Sequence, residues 1–311
     1  SMQATYQSEP DKVTGNPLGM DREIKFAGST ELDNGMNMSV MQDFGDDGGF
    51  GDAKITFGNV GGMIDIYVGT DGSEVDAIDD ITPSAFEEAN GAGSGTYTDI
   101  GGLADEMGIG FKVALPIIGT VSGQYVPKAD AGENADGTAS ADTNASVGSG
   151  EEIVIKTAMG DLPVLGSFLD GNTLTLGYAN EEVSTITATS DRLEGTAAIT
   201  GAYGNFSYGY QKKFVEPGQT TATAATDFYK TDVLGLAYAV NDSLSISYNM
   251  MEEKASRQGS DNPSEQSTDA FNIGYTVGGL TFGFQDAQTD NANQVKGAKD
   301  DVRRIQITAN F

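Results

Sequence analysis

The sequence contains no cysteine, no histidine and no tryptophan. The first two absences exclude disulfides, thiolate and imidazole metal ligands and any His-dependent catalytic triad. Basic residues are scarce, because 17 lysines and arginines stand against 46 aspartates and glutamates, for a net charge of −29. This charge argues against nucleic acid as a partner, since phosphate backbones require a basic surface.

Long apolar runs are also missing. No stretch of 18 consecutive apolar residues occurs, so the sequence predicts no transmembrane helix. Membrane-spanning strands remain possible, because each needs only about 9–11 residues with alternating side chains. Disorder fits this acidic composition poorly, because Ile, Val, Leu, Phe and Tyr recur at regular spacing.

The chain instead shows period-two alternation of apolar and polar residues. In REIKFAG (22–28), Ile24 and Phe26 share one face, and Glu23 and Lys25 share the other. The pattern predicts an all-β chain with a single domain over 1–311. The sixteen predicted strands are 2–8, 22–28, 36–42, 52–58, 63–69, 107–115, 119–128, 151–159, 172–183, 194–203, 206–214, 230–240, 243–251, 269–277, 280–288 and 303–311.

The connections between these strands alternate between short and long. Short ones include the Asn-Gly turn in 32–35 and the turns at 204–205, 241–242 and 278–279. The stretch 160–171 is predicted to be a longer turn, and a further strand in PVLGSFL (163–169) is the alternative. Long polar connections fall between the short ones. A soluble sandwich has no reason to alternate in this way, whereas a transmembrane antiparallel β-barrel places short turns on one side and long loops on the other.

The segment 71–106 is the longest connection between predicted strands, and a shorter low-complexity connection spans 129–150. The 71–106 segment has ten carboxylates and no lysine or arginine, and glycines and Pro83 interrupt it. Connections of this length are usually functional or disordered. We expect this acidic segment to fold into the lumen of the barrel. Its carboxylates are Asp71, Glu74, Asp76, Asp79, Asp80, Glu87, Glu88, Asp99, Asp105 and Glu106.

Two stretches carry a family resemblance. REIKFAGSTELDNGMNMSVMQ (22–42) and RRIQITANF (303–311), which closes on Phe311, resemble the general diffusion porins of Gram-negative outer membranes. The acidic segment holds the position of that family's third loop. It is similar to the acidic third loops of α-proteobacterial porins, and the enterobacterial Pro-Glu-Phe-Gly-Gly pattern is absent.

The resemblance implies a sixteen-stranded barrel with short periplasmic turns and long extracellular loops. It implies a passive, non-enzymatic channel in the outer membrane of a Gram-negative bacterium, with no required cofactor. Small hydrophilic solutes and ions would pass through it. The expected partners are membrane lipid, lipopolysaccharide and two further copies in a homotrimer, with 43–52 near the subunit interface.

The resemblance also implies a pore constriction in which loop carboxylates face basic side chains on the opposite wall. Opposed charges in a narrow opening sort solutes by charge, and the excess of acids predicts a preference for cations. The alternative is that these acids only solvate an exposed loop. The predicted loop residues are Glu74, Asp76, Asp79, Asp80, Glu87 and Glu88, and the predicted wall residues are Lys25, Lys54 and Lys112, with Arg22 near the rim.

Two acidic, glycine-rich loops are candidate Ca²⁺ sites. The first is 43–52, with Asp43, Asp46, Asp47 and Asp52, and the second is 129–137. Neither matches the ligand spacing of an EF-hand. Solvated loops are the alternative for both, and a latch onto a neighbouring subunit is a further one for 43–52.

Two other functions stay open on the sequence. A soluble secreted all-β adhesin or carbohydrate-binding protein shares the composition. A glycosidase with paired carboxylates has many candidate acids but no criterion for choosing a pair. The strand phase gives a structural test. We expect Ile24, Phe26, Ile55, Phe57, Leu174, Leu176, Phe282, Phe284, Ile305 and Ile307 on one face, and Lys25, Lys54, Thr56, Thr175, Gln285 and Gln306 on the other.

Overall fold

The computed structural model describes residues 2–8, 15–22, 24–44, 50–70, 73–89, 97–103, 107–127, 148–163, 168–182, 191–218, 226–257 and 263–309. These residues form seventeen strands and three single-turn 3₁₀ helices, at Asp76–Ile78, Met159–Asp161 and Ala292–Gln294. Across the described ranges, no helix is long and apolar enough to span a membrane.

The strands follow one another along the chain in a single antiparallel sheet. They are β1 (Met2–Ser8), β2 (Leu18–Arg22), β3 (Ile24–Glu31), β4 (Asn37–Phe44), β5 (Phe50–Val60), β6 (Ile64–Gly69), β7 (Gly108–Leu115), β8 (Gly119–Val126), β9 (Gly150–Ala158), β10 (Asn172–Glu181), β11 (Arg192–Tyr203), β12 (Phe206–Glu216), β13 (Thr226–Asn241), β14 (Leu244–Arg257), β15 (Gln266–Val277), β16 (Leu280–Asp290) and β17 (Lys299–Ala309).

The strand count differs from the prediction at one place. The predicted strand 22–28 corresponds to the last residue of β2 and the first part of β3. The two strands have different partners, because β2 pairs with β1 and β3 pairs with β4. Each of β3 to β8 and β10 to β16 pairs with the next strand, β9 pairs with β10, and β1 also pairs with β17.

The two faces of the sheet differ in chemistry. One face, which we call the apolar face, exposes Ile24, Phe26, Ile55, Phe57, Leu176, Ile305 and Ile307, while Leu174, Phe282 and Phe284 on the same face are half-buried. The opposite face buries Thr175, Gln285 and Gln306. We call it the loop face, because the acidic segment packs on it. The predicted strand phase matches this division for these residues.

The predicted turns are observed at two instructive places. Gly35 adopts a φ of 80° and donates its N–H to the Leu32 carbonyl at 2.8 Å, as the Asn-Gly signal predicts. In 160–171 a 3₁₀ helix ends at Asp161 and turn residues lie at 163 and 168–171, while 164–167 lie outside the described residues.

Candidate functional site

The acidic segment crosses the loop face from β9 to β17. Val75, Ile78 and Ile100 are buried in one cluster with Val154 of β9, Ala179 of β10 and Val215 of β12. A second cluster holds the next part of the segment in place. It joins Ala89 to Val233, Met251, Ala270 and Ala287, on β13 to β16, with Tyr97 packed against it. The described parts of the segment, 73–89 and 97–103, therefore lie along the sheet.

Glycines on the strands create the room for this close contact. A Cβ atom at Gly209 would lie 2.7 Å from the ring of Pro83, and one at Gly235 would lie 2.7 Å from the Pro83 carbonyl oxygen. The track continues across the sheet. At Gly177, Gly274 and Gly283 the added atom would meet Ile78, Ala85 and Phe86 at 2.6, 2.2 and 2.2 Å. Side chains at these positions would lift the segment off the sheet.

Three buried glutamates on the strands hold the backbone of the segment. Glu152 of β9 accepts hydrogen bonds from the Glu74 N–H at 2.5 Å, from the Leu103 N–H at 3.1 Å and from the Ser73 hydroxyl at 3.0 Å. Both of its carboxylate oxygens are used. Ionised carboxylates have only hydrogen-bond acceptors, so they suit a loop whose backbone N–H groups point at the strands.

The second and third glutamates hold the later part of the segment. Glu194 of β11 accepts the N–H groups of Gly101 and Gly102 on one oxygen, at 2.9 and 2.7 Å. Its other oxygen forms an ion pair with Arg192. Glu253 of β14 accepts the Thr98 N–H at 2.7 Å and the Gln294 side-chain amide at 2.8 Å.

Neutral side chains complete the attachment in the middle of the segment. Ser247 accepts the Ala85 N–H at 2.9 Å, and Asn249 donates to the Pro83 carbonyl at 3.0 Å. The amides of Gln211 and Gln285 donate to the carbonyls of Ile78 and Glu88, both at 2.7 Å. The attachment thus extends over both halves of the acidic segment.

The predicted loop acids occupy different environments. Asp76 is exposed, while Glu74, Asp79, Asp80, Glu87 and Glu88 are half-buried. Burial raises the pKa of Asp79 to about 7, and the charge of Asp99 adds to this rise while Lys213 opposes it. Burial also raises the pKa of Asp80 to about 9, and a hydrogen bond with Glu88 and the charge of Glu88 add to it. These carboxyls hold protons near neutral pH, which limits the negative charge of the segment.

Two basic residues that meet the segment were not predicted. The ammonium of Lys213 is buried and forms an ion pair with Asp99. The guanidinium of Arg304 lies 3.2 Å from the Glu87 carboxylate and 5.7 Å from the centre of the Phe86 ring. Burial raises the pKa of Glu87 and Arg304 opposes that rise. The sequence contained a signal for these two residues, because Lys213 directly follows Lys212 and Arg304 directly follows Arg303. Alternation places one member of each pair on each face.

The predicted basic wall lies on β3, β5 and β7, and the segment comes near it at Tyr67 of β6, whose hydroxyl lies 3.4 Å from the Glu74 carboxylate. Lys25 and Lys112 are exposed on β3 and β7, and the ammonium of Lys54 lies 4.3 Å from the ring centre of Tyr67. Among the described residues, no ion pair joins these lysines to the acidic segment. The side chain of Arg22 lies outside the description. Lys54 and Glu74 both contact Tyr67, and the pairing of the other predicted acids and lysines across a constriction stays a prediction.

The structure describes some of the predicted Ca²⁺ ligands. Asp43 and Asp52 belong to β4 and β5, whereas Asp46, Asp47 and the stretch 129–137 lie outside the described residues. Where the chain is described, no three His, Cys, Asp or Glu side chains come together in a way that could hold a metal ion. Ca²⁺ at 43–52 stays a prediction.

The class that this architecture defines is the porin fold. The structure is similar to OmpF of Salmonella typhi in complex with daunomycin, at 12% identity and a TM-score of 0.64, over 100% of this chain and 96% of that one. A mutant of the Rh. blastica porin matches at 12% identity and a TM-score of 0.61, over 100% of this chain and 98% of that one. The predicted resemblance to general diffusion porins is confirmed at the level of the fold.

A further similar structure is OmpT, an outer membrane protein of Vibrio cholerae. It matches at 10% identity and a TM-score of 0.67, over 98% of this chain and 94% of that one. Comparison of the sequence finds no matching family model and no matching curated protein. At these identities the similarity defines the fold, and the function has to be argued from this chain's own residues.

Proposed function

We propose that this chain is a porin of a Gram-negative outer membrane, a passive and non-enzymatic channel for small hydrophilic solutes and ions. The observation that carries the proposal is the asymmetry of the sheet. One face exposes large apolar side chains along its strands, and the other carries an acidic segment anchored across β9 to β17. A lipid-facing wall and a polar lumen require this division.

A closed barrel of sixteen strands is part of the proposal. β2 and β3 are separated by one residue, and they would act together as a single strand between β1 and β4. The pairings of β1 with β17 and of β9 with β10 support closure. Closure leaves no unpaired edge, which the hydrocarbon region of a membrane does not tolerate. The short connections would then face the periplasm and the long ones the exterior.

The acidic segment is proposed as the constriction. Its described anchors lie mainly on β9 to β17, whereas Lys25, Lys54 and Lys112 lie on the loop face of β3, β5 and β7. Acids on one side of the lumen and lysines on the other would produce a transverse field. The larger number of acids supports a preference for cations.

The assembly and its surroundings complete the proposal. A homotrimer in contact with membrane lipid and lipopolysaccharide follows from the resemblance to porins and from the structural neighbours. The apolar side chains of β2 and β3 support a buried interface there, because Leu18, Met20, Ile24 and Phe26 are each 62–68% exposed in the single chain. Light scattering with detergent subtraction distinguishes a trimer from a monomer.

The proposed function is tested by the reversal potential in a planar bilayer under a KCl gradient. We expect potassium to pass more readily than chloride, and higher salt to weaken the preference, since the Debye length is only about 8 Å at physiological ionic strength. The combined variant Asp76→Asn, Asp79→Asn, Asp80→Asn and Glu88→Gln should shift the potential toward neutrality.

A matched control removes the same number of carboxylates from a different long connection. It carries Asp130→Asn, Glu133→Gln, Asp136→Asn and Asp142→Asn, and we expect a smaller shift. Equal shifts in the two variants would mean that the acidic segment does not set the selectivity. A protein that forms no conducting channel would overturn the proposed function itself.

A further inference from the structure

The connection from β16 to β17, residues 291–298, is folded back on itself. Near its two ends, the Ala292 N–H donates to the Ala298 carbonyl at 3.1 Å. The Asn291 side chain fastens this loop to the residue that precedes β15, because its amide donates to the Glu265 carbonyl at 2.9 Å. The 291–298 loop is therefore a compact turn held against the start of β15.

The backbone of this loop adopts a conformation that L-residues rarely take. Asn291, Asn293 and Gln294 have φ angles of 54°, 55° and 60°. Asparagine enters this left-handed region more readily than most residues, whereas glutamine has no such preference. Such a backbone persists only where the surrounding contacts hold it. Here the Asn293 N–H donates to the side-chain oxygen of Gln266 at 2.5 Å, and the Gln294 amide donates to the Glu253 carboxylate at 2.8 Å.

The two side chains that accept these hydrogen bonds also hold the acidic segment. Glu253 of β14 and Gln266 of β15 lie directly opposite each other in the sheet, and both are fully buried. Glu253 uses one carboxylate oxygen for the loop and the other for the Thr98 N–H at 2.7 Å. Gln266 is hydrogen-bonded to the Tyr97 side chain as well. Two adjacent side chains therefore bridge the 291–298 loop to the acidic segment.

We propose that the 291–298 loop is a strap that positions the later part of the acidic segment, and that release of the strap frees residues 97–103 to move. Gln294 is the main positioning residue. Without its amide, a buried carboxylate oxygen of Glu253 loses a donor, and the side chain must shift to find another. That shift loosens the hold on Thr98. The inference deepens the proposed function and rests on it where the segment is taken to border the pore.

The absence of cysteine makes the test direct, because one introduced cysteine is the only thiol in the chain. Thr98→Cys places a reporter beside the bridge and keeps the backbone N–H that Glu253 accepts. Ala85→Cys places a second reporter in the earlier part of the segment, which Ser247 holds. Each protein, in lipid vesicles, reacts with methyl methanethiosulfonate, and mass spectrometry gives the modification rate. This rate follows the population of the loosened segment when reseating is fast.

Gln294→Ala should raise the modification rate at 98 about tenfold or more, the scale of one lost hydrogen bond to a charged group. The rate at 85 should stay unchanged. Gln294→Gly should act in the same way, and it also relieves the backbone strain, because glycine adopts a positive φ freely. It is the second variant if Gln294→Ala does not fold. Val295→Ala is the matched control, because the Val295 side chain is exposed, and it should change neither rate.

An unchanged rate at 98 in both variants of Gln294 would overturn the proposal. An equal increase at 98 and 85 would also overturn it, because it would mean that the whole segment loosens. Single-channel recordings of the same proteins test the proposed function separately, since the chemical rates require no conduction. The expected increase at 98 in a protein that forms no conducting channel would support the strap and contradict the proposed function.

Discussion

At the scale of single residues, the attachment of the acidic segment depends on carboxylates that the strands supply. Glu152 uses both oxygens as acceptors, whereas Glu194 uses one oxygen for two N–H groups and the other for Arg192. An amide keeps one acceptor and replaces the other by a donor. The same Glu→Gln change should therefore have different consequences at the two positions.

Glu152→Gln should weaken the seating of the segment more than Glu194→Gln does. In Glu152→Gln the new NH₂ group must face a backbone N–H in either orientation, that of Glu74 or that of Leu103, and leaving a buried donor unsatisfied costs about 1–3 kcal/mol. In Glu194→Gln the amide oxygen can keep both glycine N–H groups while Arg192 turns toward Glu181, which is 4.0 Å away. Limited proteolysis within 71–106 and open-channel noise measure the seating. Similar behaviour of the two variants would contradict this account.

Ile307 provides a residue-scale test of the lipid-facing assignment. It lies on the apolar face of β17, 41% exposed, between Ala4 and Phe282 on the neighbouring strands. Ile307→Arg should destabilise the protein in lipid by about 2–4 kcal/mol if the residue lies near mid-membrane. Urea titration in lipid vesicles measures the change. Thr308→Arg, on the loop face, is the control and should lower the free energy of unfolding by less. Equal stability of Ile307→Arg and the parent chain would argue against the assignment.

At the scale of elements, the strands could be predicted from the sequence. The path of the acidic segment could be predicted only in outline. Period-two alternation reports directly which side chains share a face, so the predicted strands overlap the observed ones throughout. The start of the second strand was missed, because LGMDR (18–22) is only five residues long and follows Pro17. The anchors at Glu152, Glu194 and Glu253 lie 49–155 residues from their partners, and no local pattern encodes such contacts.

The same reason explains the basic partners. Lys25, Lys54 and Lys112 were chosen because strand phase places them on the lumen side. The residues that contact the segment, Lys213 and Arg304, have the same phase. Strand phase predicts which face of the sheet a side chain lies on. Whether that side chain contacts the acidic segment depends on which strands the segment crosses. That crossing is fixed by the glycine track and the apolar clusters.

The glycine track makes an element-scale prediction. A Cβ atom at Gly235 would lie 2.7 Å from the Pro83 carbonyl oxygen and 2.9 Å from the Pro83 nitrogen. These are backbone atoms, so no side-chain rotation can relieve the overlap. Gly235→Ala should push the segment from the wall into the lumen, lowering single-channel conductance, and the overpacking should cost about 1–3 kcal/mol of stability. Gly195→Ala is the control, because its nearest neighbour outside the adjacent residues is 3.9 Å away. Unchanged conductance in Gly235→Ala would show that the segment does not border the pore there.

At the scale of the whole molecule, net charge and pore charge are different quantities. The chain carries −29 at neutral pH by formal count. Burial and neighbouring carboxylates keep Asp80 largely protonated at pH 7 and leave Asp79 near half-ionised, since their pKa values are raised to about 9 and about 7. The negative charge of the acidic segment is therefore smaller than the sequence suggests, and it changes over an accessible range of pH.

Raising the pH from 6 to 10 should accordingly strengthen the preference for potassium over chloride. The increase follows ionisation of Asp79 near pH 7 and of Asp80 near pH 9. The same raised pKa values also determine how the stability of the seated segment changes with pH. A carboxyl whose folded pKa lies above its unfolded value stabilises the seating at low pH, and this contribution falls as pH rises toward the folded pKa. The seating should loosen at alkaline pH while selectivity rises.

Reversal potentials across this pH range separate the two carboxyls. Asp79→Asn should remove the step near pH 7 and keep the one near pH 9. Asp76→Asn is the matched control, because Asp76 is exposed whereas Asp79 is half-buried. It should lower the potassium preference and leave both steps in place. A selectivity that stays flat from pH 6 to 10 in the parent chain would mean that neither buried carboxyl lies along the ion path. The exposed acids of the segment would then set the preference alone.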